Sequence, residues 1–261
     1  MNIIGKKVVL TGAAGGMGSA LAVALSQRGA QLVLVDRDAP ALQALAKRLD
    51  GAHAVTGDLA STTGCKHVAD EISSLLGGVD LLINLAGLNS FRPFEEEDPQ
   101  AIERLIHVNL LAPMLLTNLL LPSMLSQGSG RIVNVGSVFG SIGFAWFSTY
   151  SASKFGLRGF SEALRRELAD TGVRVTYVAP RAVKTPMNSD AIIRMGEATG
   201  MNMDLPERVI TRIVAAIDDD RKDSYIGFPE SLFVRINAIL PRLVDWMLAK
   251  QNRIAAKFAR L

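Results

Sequence analysis

Cysteine is almost missing from this chain. Cys65 stands alone among 261 residues, so no intrachain disulfide can form, and a reducing compartment, the cytoplasm, fits. Histidine is nearly as scarce: His53, His67 and His107 are scattered, no cluster has metal-ligand spacing, and no metal is assigned. Aromatic residues make up 6% and charged residues 20%, against 49% hydrophobic residues, which excludes a disordered, collagen-like or coiled-coil chain. The length allows one large or two small domains, with a core that needs no staples.

Excess charge of either sign is also small, at +3, but it is unevenly spread. Residues 231–261 hold Arg235, Arg242, Lys250, Arg253, Lys257 and Arg260 against the single acid Asp245, a balance of +5, and the remainder of the chain is at −2. The high isoelectric point therefore belongs to a tail. A nucleic-acid-binding face spread over the body of the protein is not supported.

Two stretches imitate membrane or targeting segments. Residues 8–27 are uncharged behind Lys6-Lys7, like a signal peptide, yet Gly12, Gly15, Gly16 and Gly18 suit a turn better than an apolar helix. Residues 105–130 lack Asp, Glu, Lys and Arg, but Asn109, Pro113, Thr117, Asn118 and Pro122 interrupt them, and a buried core helix has the same composition.

Short β-rich runs alternate with helical stretches from end to end. Strands are predicted at 8–10, 31–35, 52–56, 81–83, 131–135, 173–178 and 224–226. Helices are predicted over 17–27, 39–49, 66–76, 99–125, about 150–170 and 206–218, the fourth started by Asp98 as N-cap with Pro99 at its first position. Such alternation implies an α/β fold, a Rossmann-type doubly wound, mostly parallel sheet of about seven strands covered by helices on both faces. No linker-like composition or internal repeat divides the chain. It reads as one domain over residues 1–230 with a helical C-terminal extension over 231–261.

The first turn, Thr11-Gly12-Ala13-Ala14-Gly15-Gly16-Met17-Gly18, follows a strand and opens a helix. Glycines there allow a sharp turn and close approach of a pyrophosphate, which the helix N-terminus attracts. Asp36 ends the second strand, 18 residues past Gly18, where a carboxylate can accept from a ribose; the alternative is a solvated loop acid. A carboxylate there disfavours a 2′-phosphate and points to NAD, whereas the neighbouring guanidinium of Arg37 leaves NADP open.

Tyr150-Ser151-Ala152-Ser153-Lys154 opens a helix, so Tyr150 and Lys154 share a face. Free tyrosine has a pKa near 10, and a nearby ammonium stabilises its phenolate and brings proton transfer into reach. Ser137 ends the fifth strand, at the carboxyl edge where such sheets bind ligands.

At these residues the chain resembles the short-chain dehydrogenase/reductase family, over about residues 5–228. Thr11-Gly12-x-x-x-Gly16-Met17-Gly18 is similar to the family's cofactor turn. Asp58-Leu59 resembles its pair beside the adenine, and Asn84-Leu85-Ala86-Gly87 its Asn-Asn-Ala-Gly element, with Leu85 as a departure. Asn109, Ser137, Tyr150 and Lys154 stand at the four catalytic positions. Pro180-Arg181-Ala182-Val183-Lys184-Thr185 resembles the Pro-Gly element lining the nicotinamide, with Arg181 in place of glycine and Thr185 available for the carboxamide.

The resemblance implies that Tyr150 exchanges a proton with a substrate oxygen while the nicotinamide exchanges a hydride. Ser137 holds the same oxygen, Lys154 binds the nicotinamide ribose and depresses the tyrosine pKa, and Asn109 holds a water linking Lys154 to solvent. For Asn109 a satisfied polar group in a buried helix is the alternative. The resemblance further implies a homodimer or homotetramer. A different class also stays open, a cofactor-binding regulatory or membrane-associated protein on the same fold with little turnover.

Phe139, Phe144, Trp146 and Phe147 lie between Ser137 and Tyr150, Phe91 follows the fourth strand on the same edge of the sheet, and Met187, Ile192, Ile193, Met195, Met201 and Met203 follow Thr185. They predict an adaptable apolar pocket for a lipid- or steroid-like ketone or alcohol, unless they fill core or subunit interfaces. Arg92 and Arg181 are the only candidates for clamping a substrate carboxylate. Glu95-Glu96-Glu97-Asp98 suits a helix N-terminus and Asp218-Asp219-Asp220 a solvated loop. In the tail, Pro241 divides two helices, and Leu243, Met247, Ile254, Phe258 and Leu261 line one stripe with Lys250 and Lys257 alongside. Such a helix either lies peripherally on a membrane or docks on the domain or a partner subunit. Phe233, Ile236, Ile239 and Leu240 are further candidates for the substrate entrance.

Overall fold

Backbone pairing begins with Lys7–Thr11 (β1), which lies parallel to Gln31–Asp36 (β2) on one side and to Leu81–Asn84 (β4) on the other. The computed structural model describes residues 1–260. Adding His53–Thr56 (β3), Gly130–Val135 (β5), Val173–Pro180 (β6) and Asp223–Ile226 (β7) gives a seven-stranded sheet in the order β3-β2-β1-β4-β5-β6-β7, parallel throughout. The order reverses between β1 and β4. That reversal opens a crevice beyond the carboxyl ends of the strands, where ligands bind in this architecture.

Side chains alternate across the pleat. Val8, Leu10, Leu32, Leu34, Leu81 and Ile83 face one layer, formed by Gly16–Gln27 (α1), Ala39–Ala46 (α2) and Pro206–Asp218 (α8). Val9, Val33, Val35, Leu82 and Ile132 face the other, formed by Thr62–Leu76 (α3), Ala112–Ser126 (α5) and Ser148–Glu167 (α6). Burial on both faces explains why the strands read as continuous apolar runs rather than strict alternations.

The predicted helix over 99–125 is present, but it is not uniform. Pro99–Ile106 (α4), capped by Asp98, passes through a π-helical turn at His107–Leu111 before continuing as α5. By length and composition 99–126 is apolar enough to cross a membrane. Its residues Leu105, Ala112, Leu116, Leu120 and Met124 are nevertheless buried in this fold.

Asp190–Thr199 (α7) was not foreseen as a helix. Only Met195 and Ile192 of its apolar residues are buried, and Ser189 caps it by accepting from the Ile192 N–H. Glu230–Ile239 (α9) and Pro241–Ala259 (α10) form the tail, divided at Pro241 as expected. The stripe expected to choose between membrane and docking divides: Leu243 and Met247 are exposed, whereas Phe258 packs with Ala255 against Phe144, Phe147 and Met195 in one apolar cluster and Ile254 is half-buried. Leu261, the last member of that stripe, lies outside the described residues.

Candidate active site

Thr11 ends β1 with its side chain buried. Its Oγ1 accepts from the N–H groups of Leu85 and Ala86, each at 3.1 Å, and so fixes the turn after β4 beside the glycine turn. Gly12 has φ +69°, and a Cβ on it would sit 2.8 Å from Ala86 Cα; a Cβ on Gly18 would meet the Gly12 carbonyl at 2.0 Å. The closeness is therefore built into the backbone. A Cβ on Gly16 would touch Pro186 and Thr185, so the loop after β6 also abuts the start of α1.

No side chain caps α1 at Gly15, which leaves the first N–H groups of the helix facing the crevice for an anion. Asp36 is drawn towards the same turn: its carboxylate accepts from Ala14 N–H at 2.9 Å and Asp38 N–H at 3.2 Å. Both oxygens keep a lone pair for a diol. Arg37 next to it is exposed. The pair Asp58-Leu59 divides its roles, with Asp58 exposed and Leu59 in the core. His107 Nδ1 donates to the Leu59 carbonyl at 2.9 Å and ties this loop to the π-turn.

Asn84 is turned away from the crevice. Its Nδ2 donates to Asn134 Oδ1 at 2.8 Å, and Asn134 in turn donates to Ser161 Oγ at 2.9 Å. This buried chain joins β4, β5 and α6. Ala86 and Gly87 bring the main chain past the site instead; a Cβ on Gly87 would lie 3.4 Å from Asn109 Oδ1 and 3.6 Å from Lys154 Nζ.

Asn109 sits in the middle of the π-turn, fully buried. Its amide donates to the Leu88 carbonyl at 2.9 Å and to Ser153 Oγ at 3.0 Å, and accepts from Leu88 N–H at 2.7 Å. Both amide protons are thus spent on holding the loop after β4 against α6. A water relay at this position has to use the remaining lone pair or main-chain groups, such as those an inserted π-turn frees.

Ser137, Tyr150 and Lys154 meet at the floor of the crevice. The Ser137 hydroxyl accepts from Phe139 N–H at 3.1 Å and lies beside the Tyr150 phenol, whose ionised form it favours. Lys154 Nζ donates to the Val135 carbonyl at 3.2 Å and lies 5.8 Å from the centre of the Tyr150 ring. Burial pushes the Lys154 ammonium down to about 8. Burial also raises the Tyr150 phenol, and the Ser137 hydroxyl only partly opposes it. In the chain by itself, then, desolvation outweighs the depression of the tyrosine expected from Lys154.

Above this floor is a cavity of about 420 Å³. Phe139, Phe144 and Phe147 wall one side, Met187, Ile192 and Met201 a second, and Phe233, Val244, Met247 and Leu248 of the tail a third. Pro180, Val183, Thr185 and Met17 border it towards the glycine turn. Phe91 packs against Phe147 with the rings tilted by 30° and their centres 4.8 Å apart, while Met195 and Met203 pack behind the wall. Arg181 does not clamp anything in the cavity. Its guanidinium forms a bidentate pair with buried Asp204, both contacts 2.9 Å, and a further bond to Glu230 at 2.9 Å. Among the described residues no three of His, Cys, Asp or Glu converge to hold a metal.

Tyr177 was missed from the sequence. Buried on β6, its hydroxyl donates to the Ser137 carbonyl at 3.2 Å and accepts from Ser137 N–H at 3.4 Å. A Cβ on either Gly136 or Gly140 would collide with that hydroxyl. Glu97 is another, its carboxylate accepting from Ser90 and Thr149 beside Tyr150. Neither carries a local signal, because both act on residues distant in sequence.

The glycine turn, the carboxylate on β2 and the Ser-Tyr-Lys floor come together in the arrangement that the sequence resemblance implied. Residues 6–194 match the model of the short chain dehydrogenase family. The chain is 35% identical over 252 residues to the ketoacyl reductase HetN of Nostoc sp., covering 95% of this chain and 84% of that protein. It is 31% identical over 263 residues to the bovine dehydrogenase/reductase SDR family member 7B, covering 94% and 81%. A short-chain dehydrogenase/reductase from Burkholderia phymatum, solved in complex with NAD, superposes with TM-score 0.84 at 24% identity over 94% of this chain and 96% of that one, a likeness of fold. The chain belongs to the short-chain dehydrogenase/reductase family.

Proposed function

We propose that this protein is an NAD-dependent reductase of ketones carried on large hydrophobic, lipid- or steroid-like molecules, the reverse oxidation of the secondary alcohol using the same groups. The observation that carries this reading is the Ser137-Tyr150-Lys154 cluster at the base of an aromatic- and methionine-walled cavity that opens onto the glycine turn. The ketoacyl reductase among the relatives supports a carbonyl on an acyl chain as one such substrate.

The glycine turn and the uncapped start of α1 fit a pyrophosphate, Asp36 fits an unphosphorylated adenosine ribose, and Thr185 borders the cavity where a carboxamide would lie. Arg37, being exposed, is the group that would admit NADP. When bound, the nicotinamide supplies or accepts the hydride. Tyr150 gives its proton to the oxygen that becomes the alcohol, and the Ser137 hydroxyl hydrogen-bonds that oxygen as charge develops on it. Lys154, its ammonium retained at neutral pH, orients the ribose and shares proton traffic with Tyr150. Asn109 keeps the loop after β4 in register with these groups.

Leu111 of the π-turn and Met114 and Leu119 of α5 are exposed on a stretch without Asp, Glu, Lys or Arg, and Phe155 is exposed on α6; these apolar side chains support a homodimer. The single buried thiol needs no oxidising compartment, in keeping with a cytoplasmic setting.

The test is reduction of long-chain ketones, including 3-oxoacyl thioesters and steroid ketones, with NADH and NADPH measured side by side. Turnover with NADH preferred, lost in Tyr150→Phe, is expected. Tight cofactor binding with no turnover across the panel would instead support a regulatory role.

A further inference from the structure

We infer that the elbow between α9 and α10 is a docking surface for an anionic lipid bilayer, placed at the mouth of the substrate cavity. At this elbow Ile239 is 79% exposed and Trp246 76%, and Leu240 and Leu243 are exposed beside them. Leu243, Trp246, Met247 and Lys250 share one face of α10. The opposite face, with Val244 and Ala255, is buried against the protein. So α10 is apolar on two sides, and only one of them has found a partner within the chain.

Cations surround the free side. Arg235 on α9 and Arg242 and Lys250 on α10 are exposed, and Asp245 is the only acid in the +5 segment. An apolar tip with an indole at its centre and long basic side chains beside it matches a membrane interface, where the indole sits at headgroup level and the cations reach phosphates. Charge also decides against the nearest competitor, a second copy of the chain. A two-fold contact through the elbow would bring two +5 segments together. Leu111 and Met114 lie on the stretch over 105–130 that has no charged side chain, and carry no such penalty.

Phe233, Val244, Met247 and Leu248 of the same two helices line the cavity. A bilayer at the elbow therefore lies at the cavity's own wall, and a membrane-dissolved ketone enters without crossing water. That consequence rests on the proposed hydrophobic substrate; the docking itself does not.

The full-length protein should co-sediment with vesicles of phosphatidylcholine containing phosphatidylserine at least about tenfold more strongly than with phosphatidylcholine alone, and the preference should fade in high salt. Tryptophan emission should shift to shorter wavelength on the anionic vesicles, and that shift should vanish in Trp246→Phe. Arg235→Gln with Arg242→Gln should weaken binding about tenfold while cofactor binding in solution is unchanged. Equal binding to both vesicles, no binding, or binding without a change in Trp246 emission overturns the proposal. So does a dimer that Trp246→Ala dissociates, which assigns the elbow to a second copy. Turnover of soluble ketones without vesicle binding removes the docking alone; vesicle binding without turnover of any ketone removes the reductase reading alone.

Discussion

Tyr150 retains its proton well above neutral pH because burial raises its phenol, so the resting group is an acid ready for ketone reduction. Reduction is expected to be flat through neutral pH and to fall on the alkaline side, whereas alcohol oxidation, which needs the phenolate, should climb with pH. Initial rates in both directions across pH 6 to about 10 check this. Tyr150→Phe should lower both by about 100-fold or more with cofactor affinity retained.

Lys154 offers a readout separate from turnover. Its folded pKa, about 8, lies below the ordinary lysine value of 10.5, so between these values the unfolded chain binds more protons and stability rises with pH. The buried ammonium is a burden below about 8 that is relieved above it. Denaturant unfolding at pH 7.5 and 9 should show this rise in the wild type relative to Lys154→Met; Cys65 and the buried tyrosines, raised instead, act oppositely and are common to both proteins. Tyr177→Phe should cost about 1–2 kcal/mol by leaving the buried Ser137 N–H unpaired, the Ser137 carbonyl still accepting from Gly140 N–H, and should lower kcat several-fold with little change in KM.

Among elements, the loop carrying Trp146 and the ion pairs of Arg181 tie the walls of the cavity together. Trp146 adopts φ +72°, an unusual backbone state for a large side chain. Its indole N–H donates to the Asn252 carbonyl at 3.2 Å and Arg260 lies over its ring, so contacts with α10 hold that conformation. Arg181 links the end of β6 to Asp204, ahead of α8, and to Glu230 at the start of α9. Replacing it by the glycine usual at that family position should leave buried Asp204 with only the longer contact to the exposed Arg208, at 3.3 Å. Arg181→Gly is expected to lose about 3 kcal/mol in urea unfolding and to make the tail more sensitive to protease.

Most elements were legible because each has a local cause. The cap at Asp98, the Pro99 start and the glycine turn all work within a few residues. The π-turn and α7 were not, since the first depends on Asn109 reaching Leu88 and Ser153, and the second on burying Met195 beneath the tail. The site was legible at Ser137, Tyr150 and Lys154, where spacing and edge position coincide. It was not at Tyr177, whose partner lies 40 residues away.

For the molecule as a whole, two apolar surfaces differ in charge and therefore in partner. The exposed apolar residues of the π-turn and α5, with Phe155 of α6, are expected to close a dimer. Leu111→Arg with Phe155→Asp should yield monomer in analytical ultracentrifugation while the far-UV spectrum is unchanged. The basic elbow stays outside that contact. Order of strands and helices, the dinucleotide turn and the tyrosine–lysine spacing follow from short-range sterics and hydrogen bonding, so residue order was enough for them. Which side of α10 packs on the cavity, which side stays open, and whether Arg181 meets substrate or Asp204 depend on free energies between segments far apart in sequence. Those became definite only when burial made one set of contacts cheaper than every other.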